Sequence, residues 1–219
     1  MTTRKLNKQI RAHGKVAGFP RLLGGRLCLE FVNTVEGRIS VQPGEFLTDY
    51  FSLIRWAYHV GLISDEARED LWEQAGQQTE QAAAQYREAV ALREAIYHVF
   101  LALFQGECLP PEDLTVLQRS YVEGLRRAEL QASESGVQWN WAATRDLAGV
   151  NWTVARSAVD LLTSPDARRV KQCPGCGDCG WLFFDTTKSG TRQWCSMEGC
   201  GSRAKMRRHY QRQHGSGAL

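Results

Sequence analysis

Five of the chain's seven cysteines fall in two short stretches, CPGCGDCGWLFFD at 173–185 and WCSMEGCGSRAKMRRHY at 194–210. Closely spaced cysteine pairs on two segments are the pattern of a tetrahedral zinc site, because a short turn can aim two thiolates at one point. Cys195 and Cys200 make one such pair. Cys173, Cys176 and Cys179 offer three versions of the other: two C-x2-C knuckles, or the looser Cys173-x5-Cys179. Glycines at 175, 177, 180, 199 and 201 permit tight turns around the sulfurs. An iron–sulfur cluster or a redox dithiol would use the same ligands. The basic segment behind the second pair favours one structural Zn2+ instead. Four thiolates leave zinc no open position, so no catalysis is expected there. About forty-five residues bury too little surface to fold alone, so the metal should supply much of their stability.

Charge follows the same division. Residues 1–26 hold seven Lys/Arg and no acid, 27–167 hold ten against 21 acids, and 168–214 hold ten against three. The net +3 therefore hides an acidic body between two basic ends. Basic ends of this kind suit a nucleic acid or another polyanion. The first residues, MTTRKLNKQIRAHGKVAGF, lack the apolar core of a secretory signal and read as a basic, flexible arm over 1–24. There is no run of eighteen apolar residues, so no membrane partner is expected. An odd, clustered set of cysteines points to a reducing compartment and a cytoplasmic protein.

The elements that must position these residues are mostly helical. LTDYFSLIRWAYHVGLI (47–63) has helical apolar spacing and a cap at Thr48 or Asp49. Ser64 caps a second helix over 64–77, with acids in its first turn. Residues 79–107 form the longest helix, apolar nearly all round in its second half and hence central. Further helices are expected over 110–130 and 144–164, the last ended by Pro165. Residues 24–38 open the ordered region as strand or helix, and 136–142 read as a strand or extended link. The fold class is mainly α: a helical domain over 25–164, a linker at 164–169, and a cysteine module over 170–213 with short strands and a closing basic helix. Cys28 and Cys108 read as core thiols.

At about 100° per residue, the closing helix (199–213) puts Met206 and Tyr210 on one stripe, expected to dock on the cysteine ribbon. Lys205, Arg208 and Arg212 then share the far face, free to meet phosphate, and Arg207 and Arg192 are further candidates for nucleic-acid contact. Arg203 sits beside the knuckle and reads as structural, bonding carbonyls or packing on Trp181 or Trp194. His209 and His214 read as surface residues. GxGxxG after a strand, GK[ST], HExxH and GxSxG are all absent, so an enzyme is not expected.

The segment CGWLFFDTTKSGTRQWCSMEGCGSRAKMRRHY resembles the CGNR zinc finger, with Trp181, Phe183, Asp185, Trp194, Cys195, Met197, Cys200, Gly201, Arg203 and Lys205 in pattern. RLCLEFVNTVEGR, centred on Phe31, Asn33 and Thr34, resembles the opening of the ABATE domain that precedes this finger in bacterial proteins. The chain departs from the pattern twice. Ser202 replaces the usual asparagine and keeps a hydrogen-bonding side chain beside the knuckle. The first knuckle has three cysteines where the family has two. The family pattern favours Cys173 with Cys179 as zinc ligands beside Cys195 and Cys200, with Cys176 competing for the Cys173 position. The resemblance implies a stress-linked bacterial transcription regulator that contacts DNA. RNA binding through the same charges, or a zinc-stapled protein-interaction module, are the competing readings. The helical domain would then sense a small-molecule effector or assemble a homodimer. Aromatics such as Trp56, Tyr58, Trp72, Tyr86, Tyr97, Trp139 and Trp152 could line a pocket there, or simply pack the core.

Overall fold

The computed structural model describes residues 18–133, 136–140 and 146–214. Helix α1 (Leu27–Val32) is only six residues long, and every one of them is buried. Packing, not intrinsic propensity, must hold so short a helix. It settles the alternative at 24–38 in favour of helix. A two-residue pair, β1 (Val35–Glu36) and β2 (Gly44–Glu45), follows it. Helix α2 (Tyr50–His59) starts at a capping box, in which Asp49 accepts from the Ser52 N–H and Ser52 in turn accepts from the Asp49 N–H. Helix α3 (Asp65–Gln77) is capped by Ser64, which accepts from the Ala67 N–H at 3.2 Å.

Helix α4 (Thr79–Gln105) runs through the centre and stops at Gly106, which takes the left-handed conformation at φ 73°. Helix α5 (Pro111–Arg127) begins at a proline, whose missing N–H costs nothing at a first turn. An antiparallel hairpin, β3 (Glu129–Ser133) with β4 (Gly136–Asn140), leads to α6 (Gly149–Leu162). Of the expected start of that last helix, Thr144 and Arg145 lie outside the described residues. Helices α1, α4 and α5 all pack on α6. Phe31 and Trp56 meet at the core with ring centroids 4.8 Å apart. Most of the aromatics pack in this way, although Trp72 and Trp139 keep 43% and 42% of their surface exposed. Cys28 is fully buried, and burial pushes its thiol up to about 12. Cys108, by contrast, is exposed, because it lies past the end of α4, where no element covers it.

A 3-10 turn (Pro165–Arg169) joins the helical body to a short ribbon, β5 (Val170–Gln172) paired with β6 (Leu182–Phe184). Strand alternation divides the ribbon between two cores. Val170, Leu182 and Phe184 join the core of the helical body, while Trp181 and Phe183 pack with the cysteines. The two parts are therefore docked. Asn33 donates to the Leu182 carbonyl at 2.8 Å and accepts from its N–H at 3.0 Å. The Trp181 indole N–H donates to the Val35 carbonyl at 2.7 Å, and the Arg38 N–H donates to the Cys179 carbonyl at 2.9 Å. Gly180 lies at this seam with φ 68°, and a Cβ there would meet Ile39 and Arg38.

Residues 1–17 of the expected arm lie outside the described residues. Residues 18–24 form a strap across both parts. Phe19 and Leu22 pack on the helical core, and Leu23 packs on the cysteines. The strap is tied down by Glu30, whose carboxylate accepts from the Gly24 and Gly25 N–H groups at 3.0 and 2.7 Å. Burial pushes Glu30 up to about 7, although those N–H groups pull the other way. The folded protein thus holds this proton more tightly than the unfolded chain does, so stability falls as pH rises from about 4.5 toward 7. The effect is about 3 kcal/mol. Glu30→Gln should flatten that part of a stability-against-pH profile measured by urea denaturation. An unchanged profile would show that Glu30 does not titrate there.

Candidate metal centre and basic helix

The first knuckle grows out of the ribbon. The Cys173 N–H donates to the Trp181 carbonyl at 2.8 Å, and the Gly180 N–H donates back to the Cys173 carbonyl at 3.1 Å. Between them the chain turns at Gly175, with φ 52°, where a Cβ would lie 2.8 Å from the Cys179 backbone nitrogen. Only glycine fits that approach. The second knuckle is a π turn, Met197–Gly201, entered through Ser196, which accepts from the Gly199 N–H at 3.2 Å. Ser202 donates to the Met197 carbonyl at 2.9 Å, so the residue that departs from the family signature still closes the turn.

These turns bring Cys173, Cys179, Cys195 and Cys200 together, with all four sulfurs within 4.8 Å of one another and all four residues buried. The Cys179–Cys195 and Cys195–Cys200 sulfur separations are 3.8 and 3.6 Å. A tetrahedron of thiolates at the usual Zn–S distance has edges of about 3.8 Å. The donor set therefore fits one zinc ion. The chemistry of the cluster points the same way. Hydrogen bonds from Cys179 and Cys195 hold the Cys173 thiol far below its ordinary range, while those same contacts and burial push Cys195 far above it. Four thiolates this close would repel one another, and a bound cation would offset that repulsion. Cys176 lies outside the group. Its N–H donates to Asp178 Oδ1 at 3.2 Å, and its carbonyl accepts from the Arg207 guanidinium.

Two charged side chains brace the centre. Arg203 donates to the Cys200 sulfur at 3.3 Å and pairs with Asp178 at 3.4 Å, placing a fixed positive charge against a thiolate. The contact to sulfur raises the Arg203 pKa. Arg192, read from the sequence as a candidate for nucleic-acid contact, is instead part of the scaffold. Its guanidinium donates to the carbonyls of Phe184, Trp194 and Cys195 and lies 4.5 Å from the Phe183 ring centroid. With its donors spent on backbone, it has little left for a phosphate. A fork of five donors can serve a loop's carbonyls as well as an anion, and sequence spacing does not separate the two uses.

Asp185 and Lys171 form a brace that charge counting alone does not single out. Asp185 is 1% exposed and accepts from Lys171 at 2.8 Å and from the N–H groups of Thr187 and Arg192. Burial alone would raise its pKa, but these donors outweigh burial and hold it well below the usual carboxylate range. The DTT sequence at 185–187 carried a local signal, since aspartate often bonds the backbone two residues on.

Helix α7 (Ser202–His214) continues directly from the π turn and makes substantial contact with no other described element. Its inward residue is Ala204, 8% exposed. The expected docking of Met206 and Tyr210 is not observed, and each is 65% exposed. Arg203 and Arg207 are tied to the knuckle through the Cys200 sulfur and the Cys176 carbonyl, which sets the rotation of the helix with Ala204 inward and the larger side chains outward. Lys205 and Arg208 are exposed, as are His209 and Arg212. The side chain of His214 lies outside the described residues.

Residues 25–165 match the model of the ABATE family, described as "Putative stress-induced transcription regulator", and residues 169–213 match the model of the CGNR zinc finger. A search of curated proteins finds no match. No described helix is long and apolar enough to cross a membrane.

Proposed function

The chain belongs to the ABATE family and ends in a CGNR zinc finger, and on that premise we propose that it is a transcription regulator that contacts DNA through α7. One observation carries the reading. Helix α7 projects from the zinc centre with no acidic residue along its length, presenting Lys205, Arg208 and Arg212 on one flank. Solvated helices usually mix charge signs, and an acid-free one is matched to a polyanion. The zinc site fixes the helix's root, Arg203 and Arg207 tie its first turns to the knuckle, and the centre itself does no chemistry.

The helical body supplies sensing or assembly in this reading. The hydrogen bonds from Asn33 and Trp181 and the shared core would couple a change in the body to the finger. A cleft opens at the seam, lined by Arg21, Glu36, Trp181 and Arg203 together with the zinc ligands Cys179, Cys195 and Cys200, so that part of it belongs to the metal site. An effector bound there would touch both the helical body and the finger.

Replacing Lys205, Arg208 and Arg212 with alanine should weaken binding to random duplex DNA and leave zinc content and melting temperature nearly unchanged. Each lost phosphate contact should lower the slope of log affinity against log salt by about one unit. A variant that binds as well as the parent chain would remove the DNA reading in favour of a protein-docking module. Stronger binding to duplex RNA than to DNA would move the target to RNA.

A further inference from the structure

Helix α7 carries a second stripe besides its cations. Met206, His209, Tyr210 and Gln213 are spaced i, i+3, i+4, i+7, which gathers them on one face about 180° around from the anchored Ala204. All four are exposed, Met206 and Tyr210 at 65% each. Lys205, Arg208 and Arg212, spaced i, i+3, i+7, line one edge of that face. Arg203 and Arg207 on the other side are held by the knuckle, through the Cys200 sulfur, Asp178 and the Cys176 carbonyl. The outermost ridge thus carries no lysine, arginine or acid, and the cations lie beside it.

We propose that Met206, His209, Tyr210 and Gln213 are the sequence-reading residues of this helix, inserted into the major groove of duplex DNA while Lys205, Arg208 and Arg212 hold one phosphate strand. This rests on the DNA-binding reading above and specifies which face meets the bases. An α-helix is about 10–12 Å across with its side chains, and the major groove of B-DNA is about 12 Å wide. The deep, narrow groove of duplex RNA does not admit it. The residue types fit base edges. Glutamine bonds adenine with two hydrogen bonds, methionine offers apolar contact to the thymine methyl, and histidine and tyrosine donate or accept one bond each. A phosphate-only binder would instead put its cations on the outermost ridge. Met206 and Tyr210 on this ridge are each 65% exposed, as a groove-facing surface requires.

The test is enrichment of a random duplex library by the full zinc-loaded chain and by a Met206→Ala/Tyr210→Ala/Gln213→Ala variant. The parent chain should enrich one sequence. The variant should bind random duplex with unchanged affinity and salt slope, yet lose roughly tenfold or more of the preference for the enriched sequence. Because these side chains are exposed, the variant should keep its zinc and melting temperature, and both are measured as controls. The inference is overturned if the variant retains the parent preference, if it loses affinity for every sequence alike, or if the parent enriches no sequence. The Lys205/Arg208/Arg212 variant, measured in parallel, reports separately on the underlying reading. If it binds random duplex normally, DNA binding through α7 fails. If it binds weakly while the stripe variant still discriminates, only the present inference fails.

Discussion

Cys195→Ser should strip zinc from the protein and lower the melting temperature of the whole chain, helical body included. Cys195 is central to the cluster, 3.8 Å from the sulfur of Cys179 and 3.6 Å from that of Cys200. Serine offers a weaker, harder donor, and three remaining thiolates without full compensation repel one another. Zinc binding in small fingers contributes on the order of 10–16 kcal/mol, and that binding energy is also folding energy. The loss should spread because Val170, Leu182 and Phe184 of the ribbon are buried in the core of the helical body. Once the knuckles open, these side chains lose their register and the body loses part of its own core. A loss of about 5 kcal/mol would lower the melting temperature of a chain this size by roughly 10–20 °C. Cys176→Ser should keep one zinc per chain and melt with the parent, since that thiol stands outside the cluster. Zinc assay and thermal unfolding by circular dichroism test both. A Cys195→Ser protein whose helices melt at the parent temperature would show that the two cores are energetically separate.

The second large effect is expected at Asn33, which is 2% exposed and bonds both the N–H and the carbonyl of Leu182. This one amide extends the ribbon's hydrogen bonding onto helix α1. Asn33→Ala leaves a buried donor and a buried acceptor without partners, at about 1–3 kcal/mol each. Asn33→Asp preserves size and the acceptor for the Leu182 N–H, but sets a carboxylate oxygen against the Leu182 carbonyl. A buried carboxylate facing an acceptor should be worse than alanine above its pKa and improve on acidification. Urea denaturation of both variants at two pH values tests this. If Asn33→Asp is as stable as the parent at neutral pH, the side chain does not clamp the ribbon in the way described. Zinc content should fall less than in Cys195→Ser, because the cysteines themselves are untouched.

What could be read from residue order alone was whatever depends on neighbours in the chain. Helix periodicity and the Ser64 cap are local, and the helices lie close to where those signals put them. The two cysteine groups and the acid-free basic segment were likewise visible, because a knuckle and a charge run each need only a few consecutive residues. Three matters were decided by tertiary structure. Cys173 rather than Cys176 joins the sulfur cluster because the ribbon's hydrogen bonds to Trp181 and the turn at Gly175 aim the first thiol inward. Spacing alone allowed either. Arg192 serves the carbonyls of Phe184, Trp194 and Cys195 instead of phosphate, and no local pattern distinguishes a guanidinium engaged with backbone from one open to an anion. The rotation of α7 depends on what lies under its first turn. Helical spacing puts Met206 and Tyr210 on one stripe, but the contacts of Arg203 and Arg207 to the knuckle turn Ala204 inward, so that stripe faces outward.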